Sequence, residues 1–276
     1  MNRITFDKLP RAIAIDLDGT LLDSQTRLSE RNRRALERCI ARGIPVIIAT
    51  SRPARIFNRI FPEALRNGCS LVIMNGAVAK GVPPLSGYHK VSLPVEIVRT
   101  IVSMALASDS HIRVTLEIEG HQFATNWNWD PETLWQRNSA TPDMVLSLEA
   151  GLRLQPCKIA LGALGADYLQ TAERLRQQFG DTLSVVPQSD EAVLNITSGV
   201  ATKTNALRKL LTPHGTALAD VLAFGDDLPD LDMLKACGIP VAMANAFPEV
   251  KAVCPYLTAS NDNDGVALVL EKMLGI

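Results

Sequence analysis

The sequence predicts an α/β fold, a doubly wound parallel sheet interrupted by an inserted α+β module. Three observations predict it. The first eighty residues alternate short unbroken apolar runs with amphipathic stretches. After the breaker-rich "GVPPLSG" (81–87) that rhythm gives way to hairpin-like pairs of strands. From about residue 200 the first rhythm returns. A chain of 276 residues suits two domains, at roughly 150 residues each.

The elements follow in order. "AIAI" (12–15) lacks polar alternation, as expected of a strand covered on both faces. Ser29 is placed to cap a helix through "ERNRRALERCIAR" that stops at Gly43. "IPVIIAT" (44–50) is a second buried strand and "SLVIMN" (70–75) a third, with a helix over 53–65 broken near Pro62 between them. This βαβαβ order predicts parallel pairing.

In the middle, "PVEIVRTIVSMALAS" (94–108) is an amphipathic helix, and "HIRVTLEIEGHQFATNW" (111–127) two strands around Glu119-Gly120. "CKIALGA" (157–163), "LSVVPQ" (183–188) and "EAVLNIT" (191–197) read as strands, with a helix over 167–179. Later come a helix over 202–215, the strand "VLAFGDD" (221–227), a helix, the strand "IPVAMAN" (239–245) and a closing helix over 264–274. The expected domains are 1–81 with 188–276, and the insert 82–187.

Composition narrows the function. With 28 basic and 29 acidic residues the formal charge is -1, which suggests neither a nucleic-acid nor an anionic-membrane partner. No window approaches the ~20 apolar residues of a membrane span, and charges interrupt the first apolar run too early for a signal peptide. Cys39, Cys69, Cys157, Cys237 and Cys254 are scattered, odd in number and without zinc spacing. A reducing cytoplasm is the expected setting.

The informative residues stand at strand ends. In an open parallel sheet, ligands bind beyond the carboxyl ends of the strands. Asp16 and Asp18 follow the first strand, Thr50 the second, Asn75 the third, and Asp226-Asp227 a later one, with Asp230 close behind. Asp-Gly is also a common turn pair. A second acidic cluster is harder to explain by turns, because two like charges ~4 Å apart cost about 4 kcal/mol at an effective dielectric of about 20. A hard divalent cation removes that conflict. Mg2+ fits best, since it takes one or two carboxylates together with phosphate and water.

These residues resemble a known family. "DLDGTLL" (16–22) is similar to the nucleophile motif of the haloacid dehalogenase superfamily, and "IIATSR" (47–52) to its second motif. Lys203 in "GVATKTNAL" resembles the third and "FGDDLPDLDML" (224–234) the fourth. "IMNGA" (73–77) and "VAMANAFPEVK" (241–251) resemble the Cof-like branch, with its type IIB α/β cap. The resemblance covers both flanks of the chain; the insert has no recognisable motif.

The resemblance implies a Rossmann-like core and a mobile cap that excludes water and selects the leaving group. It implies that Asp16 attacks phosphorus and that Asp18 is the acid and then the base. Mg2+ would be held by Asp16, the backbone carbonyl of Asp18 and Asp226, with Asp227 or Asp230 close by. Lys203 and Thr50 would serve the transferring oxygens. Gly19, Ser51, Arg52 and Asn75 would line the substrate. The implied activity is Mg2+-dependent hydrolysis of a small phosphorylated metabolite by a cytoplasmic monomer or homodimer.

The match has departures. Ser51 and Thr204 stand where Gly is common, and Pro229 replaces an Asn that often holds the phosphate end. Asn75, Asn195 and Asn245 are candidate replacements for that donor, and equally turn or cap residues. A phosphomutase would use the same aspartyl-phosphate. A receiver-like module or a non-catalytic phospho-acceptor would hold a phosphoryl group without turnover. The three tryptophans of "FATNWNWDPETLW" (123–135) suit either substrate stacking or packing.

Overall fold

The computed structural model describes residues 6, 8–163, 165, 168–188 and 192–276, so Asp167 and Glu191, the expected starts of a helix and a strand, lie outside the described residues. It divides into two compact units, one of residues 1–51, 60–89 and 203–276, the other of 52–59 and 90–202.

The first unit opens with β1 (Ala12–Ile15), whose four side chains are fully buried. Helix α1 (Glu30–Ala41) begins where Ser29 accepts the Asn32 N–H, as its sequence position predicts. Strand β2 (Val46–Ala49) is followed by α2 (Ala54–Ile60), whose residues up to 59 group with the second unit, and after Pro62 by α3 (Glu63–Gly68), then β3 (Cys69–Ile73). Short strands β4 (Val78–Lys80) and β5 (Tyr88–Lys90) form one edge.

The second unit begins its sheet after α4 (Val95–Ser108). Strands β6 (Arg113–Glu117) and β7 (Phe123–Thr125) pair antiparallel around the expected turn. Helix α5 (Pro131–Asn138), β8 (Val145–Leu146), α6 (Leu148–Arg153), β9 (Lys158–Gly162), α7 (Tyr168–Phe179), β10 (Leu183–Gln188) and β11 (Val193–Ser198) complete it. The sheet order is β10-β11-β9-β6-β7-β8. Alternation gives each face its own character. Leu116, Ile159, Leu194 and Ile196 pack with Val98 and Ile101 of α4 and Leu175 of α7. In the same strands Glu117, Lys158 and Thr197 stand in register.

Helix α8 (Lys203–Leu211) returns the chain to the first unit. Strands β12 (Val221–Gly225), β13 (Ile239–Ala242) and β14 (Tyr256–Leu257) follow, with α9 (Leu231–Ala236), α10 (Pro248–Val253) and α11 (Gly265–Leu274). The sheet order is β14-β13-β12-β1-β2-β3-β4-β5, parallel from β14 to β3, with β4 reversed. Helices α1, α3 and α11 pack as one group and α8, α9 and α10 as another. That is the expected doubly wound arrangement, with strand order reversing at β1, the position beyond which such sheets bind ligands.

The unit boundaries depart from the expected 81/82 and 187/188. Strand β11, expected in the core segment, pairs with β10 and β9, so the second unit runs to Thr202. The 81–87 segment closes on itself through Gly81 N–H donating to Gly87 C=O, and Val82 N–H donates to Ser70 Oγ, so it belongs to the first unit. Partner choice between strands is a long-range decision that local breaker residues do not encode.

Residues 52–59 join the second unit through Arg55. Its guanidinium pairs bidentately with Glu117 at 2.7 and 2.6 Å, donates from Nε to the Asn138 carbonyl, and lies 4.5 Å from the Phe123 ring centroid. Both charges are buried, and Lys158 beside them is pulled down to about 8 by burial, partly opposed by Glu117. Removing one partner of a buried pair leaves an uncompensated charge. Arg55→Ala is therefore expected to cost about 3–5 kcal/mol, read as a lowered denaturation midpoint at unchanged m-value.

Candidate active site

The site forms at the carboxyl ends of β1, β2, β3 and β12. Asp16 directly follows β1 and its N–H donates to Phe224 C=O of β12. The chain then makes one wide turn over Leu17–Leu21, closed by Leu22 N–H donating to Leu17 C=O. Gly19 sits at φ +72 inside it, and a Cβ there would collide with the Asp226 carboxylate. Only glycine lets the turn pass this close. Thr20 is fully buried and donates from Oγ1 to Asp226 Oδ1 at 2.7 Å. Its role was not foreseen from sequence, where Thr in "DGT" reads as a turn residue.

Asp226 follows β12, and Asp230 lies in the next turn. Asp230 Oδ2 accepts the N–H groups of Asp226 and Asp227, while Asp227 Oδ1 accepts the Leu228 N–H. This reciprocal capping explains Pro229. It stands in a first helical turn, where a missing N–H costs no hydrogen bond.

Lys203, the first residue of α8, reaches into the same place. Its Nζ donates to Asp16 Oδ1 at 2.5 Å and to Asp230 Oδ1 at 2.6 Å. All three side chains are buried. Carboxylate oxygens of Asp16, Asp226 and Asp230 lie within 4.8 Å of one another. Residues more than two hundred positions apart therefore share one point, as their strand-end positions predict.

The electrostatics follow from burial. Asp16 is held well above the usual carboxylate range, first by desolvation and then by Asp230, against the pull of Lys203. Asp226 is pushed up to about 7, again by burial, with Thr20 opposing and Asp230 and Asp227 adding. For Lys203, burial favours the neutral amine, but Asp16 and Asp230 outweigh it and hold the ammonium. With all three carboxylates ionised, they and the ammonium would leave two negative charges, which one divalent cation would neutralise. The donor set is all oxygen, so the residues fit a hard cation. Both oxygens of Asp230 are committed, which leaves the second oxygens of Asp16 and Asp226 as its natural donors.

The other expected residues lie outside this cluster of carboxylates. Asp18 and Asp227 are outside the clustered carboxylates. Thr50 is buried at the end of β2; its N–H donates to Val72 C=O and its carbonyl accepts the Asn75 N–H. Ser51 follows it in the first unit, whereas Arg52 begins the segment grouped with the second. Met74 and Asn75 both have left-handed backbones, at φ 52 and 57. Such strain concentrates at functional sites, at about 1–3 kcal/mol per residue. Asn75 Oδ1 is buried without a hydrogen-bond partner among the described residues. Asn195 lies in β11 of the second unit and donates from Nδ2 to Gln188 Oε1, while Asn245 donates to Gly19 C=O. Trp127 stacks on Arg113 at 4.4 Å, Trp129 packs near Phe123 and Leu134, and Trp135 is exposed. The five cysteines are free thiols.

The family model of haloacid dehalogenase-like hydrolases matches residues 13–270. The chain belongs to the haloacid dehalogenase-like hydrolases. It is 27% identical to the 5-amino-6-(5-phospho-D-ribitylamino)uracil phosphatase YitU of Bacillus subtilis, covering 97% of this chain and 98% of that one. It is 28% identical to the pyridoxal phosphate phosphatase YbhA of Escherichia coli, covering 93% and 96%. A haloacid dehalogenase-like hydrolase of Bacteroides thetaiotaomicron superposes with a TM-score of 0.82 at 26% identity, covering 96% and 99%. The family resemblance and the expected α/β architecture are thus borne out. With its clustered aspartates, this haloacid dehalogenase-like hydrolase is an enzyme of the phosphatase type. Among the described residues no helix is long and apolar enough to cross a membrane.

Proposed function

We propose that the enzyme hydrolyses a small phosphorylated metabolite in the cytoplasm, with Mg2+, through an aspartyl-phosphate on Asp16. The observation that carries this reading is the placement of Lys203 between Asp16 and Asp230, with Asp226 alongside. A carboxylate attacking a phosphate dianion needs local positive charge, and the buried ammonium supplies part of it. Mg2+, held by Asp16 and Asp226, would supply the rest by neutralising the phosphoryl oxygens.

The chain's own residues carry the steps. Asp16 attacks phosphorus and the ester oxygen departs. Asp18 gives that oxygen its proton, then takes one from the water that attacks the aspartyl-phosphate. Thr50 donates its hydroxyl to a phosphoryl oxygen, and Lys203 holds the nucleophile's charge. Gly19, Ser51, Arg52 and Asn75 line the substrate, and the strained backbone at Met74–Asn75 supports a binding role there. The relatives named above act on phosphate monoesters of different shape, and residues 90–202 are where the differing leaving groups would be distinguished.

A screen of phosphorylated metabolites with Mg2+, reading inorganic phosphate, tests the reading. Free phosphate indicates hydrolysis, and an isomeric phosphate in its place indicates a mutase. Asp18→Asn is expected to slow kcat by about 10²–10⁴-fold and to accumulate phosphoenzyme from an activated ester; an unchanged kcat would count against the acid/base role.

Chelation gives a pH signature. Asp226 binds its proton more tightly folded, at about 7, than at its ordinary 3.8. Its favourable contribution is therefore complete below 3.8 and lost as pH rises through about 7. Mg2+ should offset that loss. The gap in melting temperature between Mg2+-loaded and chelated protein is expected to widen from pH 4 to pH 8, with Asp16, also raised by burial, adding to the same trend. A gap independent of pH would remove Asp226 from the metal site.

A further inference from the structure

The turn after Asp16 is held by carboxamides from three distant segments. Asn245 Nδ2 donates to Gly19 C=O at 2.7 Å, Asn32 Nδ2 to Leu21 C=O at 3.0 Å, and Asn261 Nδ2 to Leu22 C=O at 2.9 Å. The opposite ends are used as well. Asn245 Oδ1 accepts the Asn261 N–H at 3.1 Å, and Asn32 Oδ1 accepts the Ala267 N–H at 2.9 Å. All of these residues lie in the first unit.

Asn32 and Asn261 are buried, so satisfying their own polar groups is reason enough for their bonds. Asn245 is exposed and has no such need. It nevertheless ties the Gly19 carbonyl to the Asn261 backbone, with each end of the amide in its proper sense. The loop that carries it also donates Phe247 N–H to Asp226 C=O at 2.9 Å. One loop therefore holds the strands' two acidic exits, the turn through Gly19 and the backbone of Asp226.

We propose that Asn245 is a positioning residue: by fixing the Gly19 carbonyl it holds Asp18, the preceding residue, where a general acid must stand. Gly19 has no side chain to restrict it, and its backbone is the freest link in the turn. A hydrogen bond to its carbonyl sets the plane of the Gly19–Thr20 peptide. Thr20 is anchored on Asp226 and Asp16 on Lys203, so Asp18 is bracketed by held points. Without Asn245, the bracket opens on the side of the acid. The inference rests on the phosphatase reading and on Asp18 as its acid.

Leaving-group dependence tests it. An alkyl phosphate needs protonation of its departing oxygen, whereas p-nitrophenolate leaves without it. The quantity kcat/KM reports the first transfer to Asp16, before the water step. Asn245→Ala and Asn245→Asp are compared with the wild type on an alkyl phosphate and on p-nitrophenyl phosphate. The aspartate variant keeps the acceptor for Asn261 N–H but loses the donor to Gly19. Both variants are expected to lose about 10–100-fold on the alkyl ester and about threefold or less on the aryl ester. Amide exchange across 18–22 is expected to quicken about fivefold, the worth of one hydrogen bond.

Equal losses on the two esters, or unchanged exchange, would overturn the proposal. So would full activity of Asn245→Asp, since it lacks the donor. A wild-type protein that releases phosphate from neither ester overturns the phosphatase reading and this inference with it. That result is distinct from an active wild type whose variants lose both substrates alike.

Discussion

Asp16→Asn is expected to abolish turnover, with kcat lower by about 10⁴-fold or more, and to leave the fold intact. The amide has nearly the volume of the carboxylate but no charge with which to attack phosphorus. The usual concern, that a buried substitution unfolds the protein, runs the other way here. Burial holds Asp16 well above its ordinary range, so its charged form is itself costly in the folded state. A neutral residue removes that cost, while Lys203 keeps its bond to Asp230. The denaturation midpoint should therefore be unchanged or higher. The measurement is a pair, Tm and phosphate release, with an attempt to trap phosphoenzyme alongside. Turnover near the wild-type rate would dismiss Asp16 as nucleophile.

Lys203→Met should damage both stability and catalysis. Its ammonium lies 2.5 Å from Asp16 Oδ1 and 2.6 Å from Asp230 Oδ1, with all three side chains buried. Methionine fills similar space without the charge, leaving two buried carboxylates unopposed. The expected destabilisation is about 3–5 kcal/mol. It should be smallest in acid, where Asp16 carries its proton, and grow as pH rises, because the charge that opposed protonation of Asp16 has gone. Saturating Mg2+ should recover part of the loss by replacing positive charge at Asp16 and Asp226. It should not recover kcat, for which a loss of about 10²–10³-fold is expected from removing one fixed charge at the transferring group. Urea melts at two pH values, with and without Mg2+, separate these contributions. A variant as stable as the wild type at neutral pH would mean that the pair contributes nothing to the fold.

Much of the architecture was legible because buried parallel strands announce themselves. "AIAI" and "VLAFG" carry no polar alternation, and both prove fully buried side by side. Ser29 and Pro62 acted locally, as a cap and a break, and locality is what a single sequence records well. Less was legible where a residue's partner lies far along the chain. The bond from Thr20 to Asp226 was not foreseen in a stretch that read only as a turn, nor was helix α5, which Asp130 caps by accepting the Thr133 N–H inside a tryptophan-rich stretch. The expected boundary at 187/188 parts β11 from β10 and β9, with which it pairs, because that pairing is invisible in its own composition. Asn245 could be offered only as a spare donor until Gly19 was found beneath it.

The order and chemical type of the polar strand ends belong to the sequence by itself. Apolar runs ending in Asp16, Thr50, Asn75 and Asp226 dictate a parallel sheet whose polar groups emerge at one edge. Tertiary structure alone decided which oxygen meets which donor. Lys203 divides itself between two aspartates, Asp230 spends its other oxygen on backbone N–H groups, and Thr20 rather than a charged residue reaches Asp226. The physical reason is range. Hydrophobic period and turn chemistry act over a few residues, whereas hydrogen bonds and desolvated charges depend on ångström distances set only when remote segments pack together.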